Sequence, residues 1–197
     1  MKKESIIRIA TRASQLALWQ SRFVASKLIA LNPDLRIEFI EITTEGDRVL
    51  DMSLSKIGGK GLFIKELEVA LLESRADLAV HSMKDLPNAI SPEFCIASIL
   101  GREDARDVLV TSSGYDLTTL PAGATVGTSS LRRRSQILAL RRDLNIRDLR
   151  GNVTTRLEKQ QSGQYDAIVL AAAGLKRLGL ISTKCGYFGL DELVPAV

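Results

Sequence analysis

Histidine is nearly absent from this chain: His81 stands alone, and cysteine is limited to Cys95 and Cys185. One imidazole and two distant thiols without CxxC spacing exclude a His/Cys zinc cluster, a disulfide scaffold and any Ser-His-Asp triad not built on His81. Two unpaired thiols fit a reducing, cytoplasmic setting. Long apolar runs are lacking too. The longest, Ala167 to Leu175, is too short to span a bilayer, and Arg8 interrupts Ile6-Ile7 before any signal-peptide core forms. No membrane partner is expected. What is present is the composition of a globular protein: 197 residues, 45% hydrophobic and 25% charged. A chain of that length buries about 70% of its unfolded surface and needs no metal or disulfide to hold its core.

The net charge of +4 hides a local concentration. Between Arg132 and Arg156 there are eight arginines and no lysine, opposed only by Asp143 and Asp148, so the rest of the chain sums to −2. Guanidinium groups suit forked recognition of carboxylate or phosphate, whereas a diffuse electrostatic patch mixes Lys and Arg. Arg141 and Arg142 read as a solvated helix face. Nucleic acid is a poor partner, because no aromatic lies in the segment to stack a base and no helix-turn-helix or zinc-finger pattern accompanies it.

Strand-like and helix-like stretches alternate, the signature of an α/β fold with largely parallel strands. Strands are predicted at Ile6 to Ala10, Leu35 to Ile42, Leu78 to His81, Val108 to Thr111, Thr125 to Gly127, Ile146 to Leu149 and Ala167 to Leu170. A helix capped by Ser14 carries Leu16, Leu18, Trp19, Phe23, Val24 and Leu28 at helical spacing and ends at Asn32-Pro33. Further helices are expected over Phe63 to Ser74, Ser130 to Arg142 and Asn152 to Gln161. Met83 and Cys95 are assigned to the core, Cys95 in a strand. The alternation restarts near Leu100 to Asp104, so two α/β domains with a cleft between them are the economical architecture, with ligands beyond the carboxyl ends of the strands.

Three loops after strands hold candidate chemistry. Arg12 and Ser14 at a helix N-terminus form an anion seat, although Ser14 caps that helix in any case. Thr128, Ser129 and Ser130 precede a helix whose first turn is Arg132-Arg133-Arg134. Cations there oppose the helix dipole, and a bound polyanion would offset the cost. Arg150-Gly151-Asn152 with Arg156 repeats the arrangement after the next strand, which implies a ligand bearing several carboxylates or phosphates. In His81-Ser82-Met83-Lys84-Asp85, Asp85 reads either as a turn ion pair or as a carboxylate placed to stabilise a cation or move protons. Gly58-Gly59-Lys60-Gly61 lacks the GxxxxGK[ST] spacing of a phosphate loop and reads as a glycine-rich lid with a mobile lysine.

Taken together, several of these stretches resemble porphobilinogen deaminase (hydroxymethylbilane synthase). They are Ile9-Ala10-Thr11-Arg12 with Leu16 to Gln20, Gly58 to Phe63 with Lys65 to Glu68, Ala79 to Asp85, Val126 to Arg133, Leu149 to Val153 and Leu170 to Gly179. The resemblance implies an α/β fold of two lobes like type II periplasmic binding proteins, with mixed, mostly parallel sheets and helices on both faces. It implies a first domain over 1–100 to which 190–197 returns, and a second over 101–189. It also implies a cytoplasmic, monomeric transferase of tetrapyrrole (haem) biosynthesis. Such enzymes join four porphobilinogen molecules head to tail with release of ammonia, on a dipyrromethane cofactor held by a cysteine thioether. Asp85 then corresponds to the carboxylate that pairs with pyrrole N–H groups and stabilises the cation left by deamination. Arg12, Ser14, Ser82, Lys84, Thr128, Ser130, Arg132, Arg133, Arg150, Arg156 and Arg177 correspond to the residues that bind cofactor and substrate carboxylates, and Lys56 and Lys60 to a loop over the cleft. The family's third domain, with the cofactor cysteine, is expected to be missing from this chain, and neither Cys95 nor Cys185 matches that cysteine. The alternative is a non-catalytic polycarboxylate-binding module of the same fold.

Overall fold

Residues Ser5–Arg12 are extended (β1), and the buried trio Ile9, Ala10 and Thr11 makes this strand the centre of the first sheet. In this computed structural model the described residues are 5–48 and 63–196, so Lys56 and the Gly58-Gly59-Lys60-Gly61 lid lie outside them. Ser14 stops the strand and caps α1 (Gln15–Leu31), its hydroxyl accepting from the Ala17 N–H at 3.3 Å. Asn32 closes the helix by donating to the Leu28 carbonyl at 3.0 Å, and Pro33 has no N–H with which to prolong it. β2 (Leu35–Ile42) pairs parallel to β1 along its whole length, Ser5 opposite Leu35 and Arg12 opposite Ile42. A single turn, α2 (Glu45–Arg48), and α3 (Lys65–Leu72) precede a two-residue β3 (Leu78–Ala79), shorter than predicted, which pairs with Ile9 and Ala10. The sheet order is β2-β1-β3. A 3-10 turn, Met83–Asp85, follows.

The chain divides into two units between Ser98 and Ile99. In the second, β4 (Asp107–Thr111), β5 (Thr125–Gly127), β6 (Asn145–Arg147), β7 (Ala167–Ala171) and β8 (Cys185–Tyr187) form a sheet of order β6-β5-β7-β4-β8. β5 runs parallel to β6 and β7, whereas β4 runs antiparallel to β7 and β8. Alternate residues of one strand enter opposite cores. Leu109 and Val169 join Val126, Ile137 and Leu193 on one face, while Val108, Val110, Ile168 and Leu170 join Leu149 and Leu175 on the other. Burial on both faces is why these strands read as unbroken apolar runs. Helix α4 (Leu131–Leu140) covers the first face through Ile137. The second is covered by α5 (Val153–Gln161) and α6 (Ala172–Arg177), through Val153, Leu157, Ala172 and Leu175. Two α/β units with mixed, mostly parallel sheets are the fold class expected from the sequence. Among the described residues no helix is long and apolar enough to cross a membrane.

Several expectations are corrected. Cys95 is exposed and outside any strand, and Met83 is exposed on its 3-10 turn. In α1 the fully buried side chains are the small Ser21 and Ala25, while Phe23 is exposed and stacks on Trp19 at 5.3 Å. The C-terminal segment, expected to return to the first domain, is held by the second unit. Leu193 is buried beside Ile137, the Val194 N–H donates to Gln136 Oε1 at 2.7 Å, and Gln136 Nε2 donates back to the Val194 carbonyl at 3.2 Å. Ile137 needs a cover on that face, and Leu193 supplies it.

Two stability outcomes follow from these contacts. Leu193→Ala should destabilise the second unit by about 2–4 kcal/mol in a urea melt, as for other fully buried leucines; a change under 1 kcal/mol would show that the C-terminal segment is not part of this core. At the end of α3, Ser74 takes the left-handed conformation (φ 55°) as Arg75 and Ala76 donate to the Ala70 carbonyl at 2.9 and 3.2 Å. Glycine tolerates that conformation without a Cβ penalty, so Ser74→Gly should stabilise by about 0.5–1 kcal/mol in the same assay. A loss of stability would contradict the strained turn.

Candidate functional site

In the first unit the candidate residues sit at the carboxyl end of β1 and in the loop after β3. Arg12 ends β1 and its guanidinium forks onto Asp47: Nε lies 3.2 and 3.1 Å from the two carboxylate oxygens, and Nη2 donates to Oδ1. Thr44 donates to Asp47 from both its backbone N–H (3.2 Å) and its hydroxyl (2.8 Å), and the Asp47 N–H donates to the Thr44 carbonyl at 3.0 Å, which closes the turn Thr44-Glu45-Gly46-Asp47. The Phe63 ring covers the guanidinium at 4.2 Å. Gly46 is required beneath that ring, because a Cβ there would meet it at 2.3 Å. Burial alone would push the Asp47 carboxyl up, but hydrogen bonds from Arg12 and Thr44, with the Arg12 charge, hold it below the ordinary carboxylate range. Ser14 is the helix cap described above, and Ser82 ties its loop to α1 by donating to Gln20 Oε1 at 3.1 Å. Lys84 and Asp85 are both exposed on the 3-10 turn, where the Asp85 N–H donates to the Ser82 carbonyl at 2.9 Å.

His81 opens this loop half-buried. Burial pushes its pKa below 6.5, the nearby Asp85 carboxylate raises it and the Arg12 charge lowers it, with a net depression that leaves the ring neutral at pH 7.

In the second unit the loops after β5 and β6 carry the donors. Thr128 is buried, its hydroxyl accepting from the Ser130 N–H at 3.2 Å. Ser129 bridges to the next loop, donating to the Leu149 carbonyl and accepting from the Leu149 N–H, both at 3.0 Å. Ser130 caps α4, accepting from the Arg133 N–H at 3.4 Å. The anion that offsets the arginines of α4 is supplied by the chain itself. Asp107, only 2% exposed, takes Arg132 Nη2 on one oxygen at 2.5 Å and Arg133 Nη2 on the other at 2.7 Å. Arg133, 8% exposed, spends Nη1 on the Val169 carbonyl at 2.9 Å, so it is an anchor within the sheet. Arg132 donates to the Val194 carbonyl as well.

The remaining arginines of the basic segment have individual surroundings. Arg141 is not on a solvated face: it pairs with Asp143 and donates to the Leu117, Thr118 and Leu120 carbonyls at 2.8–3.0 Å. Arg147 lies over the Tyr165 ring at 5.8 Å, and Arg134 and Arg142 are exposed. Arg150 precedes Gly151, whose φ of 111° excludes a side chain and lets Asn152 cap α5, accepting from the Thr155 N–H at 2.9 Å. Arg156 donates from Nε to the Gly151 carbonyl at 2.7 Å. Arg177 closes α6, partly exposed.

Asp47, Phe63 and Asp107 are absent from the sequence-derived set. For Asp47 a signal exists, the T-x-x-D spacing after β2; for Asp107 none does, since the charge surplus of α4 reads from the sequence as a need for a bound polyanion. The two guanidiniums of α4 share one carboxylate, Asp107 of β4, and Arg133 Nε is buried without an acceptor among the described residues. Donors in excess of acceptors, backed by capping hydroxyls, fit a ligand bearing carboxylates. Among the described residues no cluster could hold a metal ion.

The single imidazole reports on this loop directly. In a proton NMR titration the His81 ring should titrate below 6.5. Asp85→Asn, which removes the carboxylate that raises it, should move the midpoint lower still; an unchanged midpoint would separate Asp85 from His81.

Among solved structures the chain is similar to the probable amino-acid ABC transporter extracellular-binding protein ytmK from Bacillus subtilis. That match has 15% identity and a TM-score of 0.50 and covers 95% of this chain and 79% of that one. It is also similar, at 15% identity and a TM-score of 0.44, to the periplasmic aliphatic sulphonate binding protein SsuA from Escherichia coli, with 94% of this chain and 56% of that one covered. An ancestral arginine-binding protein bound to arginine matches at 16% identity and a TM-score of 0.44, over 94% of this chain and 79% of that one. At such identities the likeness to ytmK speaks for the fold alone. Family membership rests on sequence: residues 7–197 match the family described as "Porphobilinogen deaminase, dipyromethane cofactor binding domain". With nearly the whole chain inside that match, the protein belongs to the porphobilinogen deaminase family.

Proposed function

We propose that this chain binds pyrrole carboxylates and takes part in cytoplasmic tetrapyrrole synthesis, the stepwise head-to-tail condensation of four porphobilinogen molecules with release of ammonia to give hydroxymethylbilane. The observation that carries the proposal is the surplus of guanidinium donors at the strand ends of a chain whose family match is to the cofactor-binding domain. Every pyrrole of porphobilinogen carries an acetate and a propionate, and forked guanidinium–carboxylate pairs are the strongest contacts available to them.

Arg132, Arg150, Arg156 and Arg177, with the hydroxyl of Ser130, supply donors from the second unit, and the buried Thr128 shapes the loop by accepting from the Ser130 N–H. Arg12, Ser14, Ser82 and Lys84 supply them from the first. Arg12 meets a ligand already paired with Asp47, so an incoming carboxylate joins or displaces an internal one. Arg133 contributes from behind Arg132. These donors suit a dipyrromethane as well as the substrate, since both carry the same side chains. When bound, a dipyrromethane supplies the primer pyrrole to which further units are joined.

Asp85 is the proposed catalytic residue. Exposed on its 3-10 turn, it can face a pyrrole N–H and hold negative charge against the positive charge that develops on the ring as the aminomethyl group leaves as ammonia. The Ser82–Gln20 hydrogen bond fixes the loop, so the carboxylate needs little reorganisation.

Asp85→Asn keeps the shape and removes the charge. Turnover of porphobilinogen, followed by ammonia release, should fall about 10²-fold or more, with binding of porphobilinogen by calorimetry changed by less than about threefold. Unchanged turnover would remove Asp85 from the chemistry. Binding without turnover in the unsubstituted protein would instead favour a polycarboxylate-binding module.

A further inference from the structure

Asp107 opens β4 and reaches no ligand-accessible surface, being 2% exposed, yet both of its oxygens are committed to arginines of α4. The two arginines differ. The Arg133 side chain is 10% exposed and also bonded to the Val169 carbonyl; the Arg132 side chain is 28% exposed. Two positive charges against one negative leave the cluster at +1, and Arg132 is the member through which that charge meets solvent. Arg132 uses Nη2 for Asp107 and Nη1 for the Val194 carbonyl, and among the described residues nothing accepts from its Nε. Its guanidinium plane is therefore held from two sides.

We infer that Asp107 is a positioning residue: without touching the ligand, it orients Arg132 so that the unused Nε–H donates to a substrate carboxylate, while Arg133 anchors Asp107 to β7. The inference rests on the proposed binding of pyrrole carboxylates and divides labour between two adjacent arginines that look equivalent in the sequence. An arginine with a free side chain loses several rotamers on binding; one already clamped loses little, so the clamp appears as affinity. A neutral surrogate at 107 keeps the volume and loses the clamp.

The test uses the 197-residue chain with Asp107→Asn and with the double variant Asp107→Asn/Arg133→Met. The double variant removes one charge of each sign, so that no buried arginine is left unpaired and the fold survives if the single variant unfolds. Two readouts are taken: the rate of rotation about the Arg132 Nε–Cζ bond by nitrogen-15 NMR, and the affinity for porphobilinogen by calorimetry. Rotation at Arg132 should accelerate about tenfold or more and affinity should fall about tenfold, a loss comparable to that of Arg132→Ala and not additive with it. Unchanged rotation in the folded double variant, or unchanged affinity, overturns the positioning role. If the unsubstituted protein does not bind porphobilinogen, the proposed function fails and the ligand half of the inference with it; the rotation readout then decides the clamp alone.

Discussion

Two guanidinium groups at the start of α4 share one buried carboxylate, and much of the second unit is organised by that arrangement. Asp107 lies on β4, Arg132 and Arg133 on α4, the Val169 carbonyl on β7 and the Val194 carbonyl on the C-terminal segment, so a single charged cluster joins four parts of the unit. Magnitudes explain why it persists. Cations at a helix N-terminus lose about 0.3–1 kcal/mol each to the dipole. Charge-assisted hydrogen bonds return about 1.5–3 kcal/mol apiece, and removal of one partner from a buried pair costs about 3–5 kcal/mol. The carboxylate wins, and the arginines can occupy a position that propensity would deny them.

The first unit solves the same problem at smaller scale. Arg12 is paired by Asp47, which is itself held by the Thr44 cap, and the Phe63 ring over Gly46 covers the guanidinium. In both units an arginine is held by an internal carboxylate. That reduces the cost of holding charge at the edge of a core, and it presets the geometry of the guanidinium. A ligand with several carboxylates gains from such prepared donors, because less side-chain freedom is lost on binding. Asp85, exposed and on a short turn, is a different kind of carboxylate: it is presented outward instead of being consumed by a neighbouring arginine.

Local signals were legible where one physical rule dominated. The apolar runs Val108–Thr111 and Ala167–Ala171 are strands because both sides of their sheet are covered. Ser14 is the helix cap its sequence context implies, and Ser130 and Asn152, expected to open their helices, prove to be the caps one residue before them. Hydrophobic character predicts burial of Cys95 and Met83, but both are exposed: Met83 sits on a 3-10 turn, and the stretch from Ser91 to Leu100 forms no strand in the described structure. The placement of residues 190–197 failed for another reason: a short segment carries too little periodicity to name its neighbour, and Leu193 joined the face of Ile137.

For the site, residue types alone implied that the arginines of α4 need an anion, and the structure supplies it from within the chain, at Asp107. Spacing also exposed the loops that carry Arg12, Asp85, Arg132 and Arg150, since strand, turn and cap are decided within a few residues of chain. Which anion meets Arg133, and that Arg133 is an anchor while Arg132 faces outward, could not be read there. Asp107 lies 26 positions before Arg133 and its partner carbonyl at Val169 lies 36 after it. Only the folding of β4 and β7 side by side brings them within hydrogen-bond reach, because the register of a sheet sums contributions from strands remote in sequence, whereas caps and turns depend on neighbours alone.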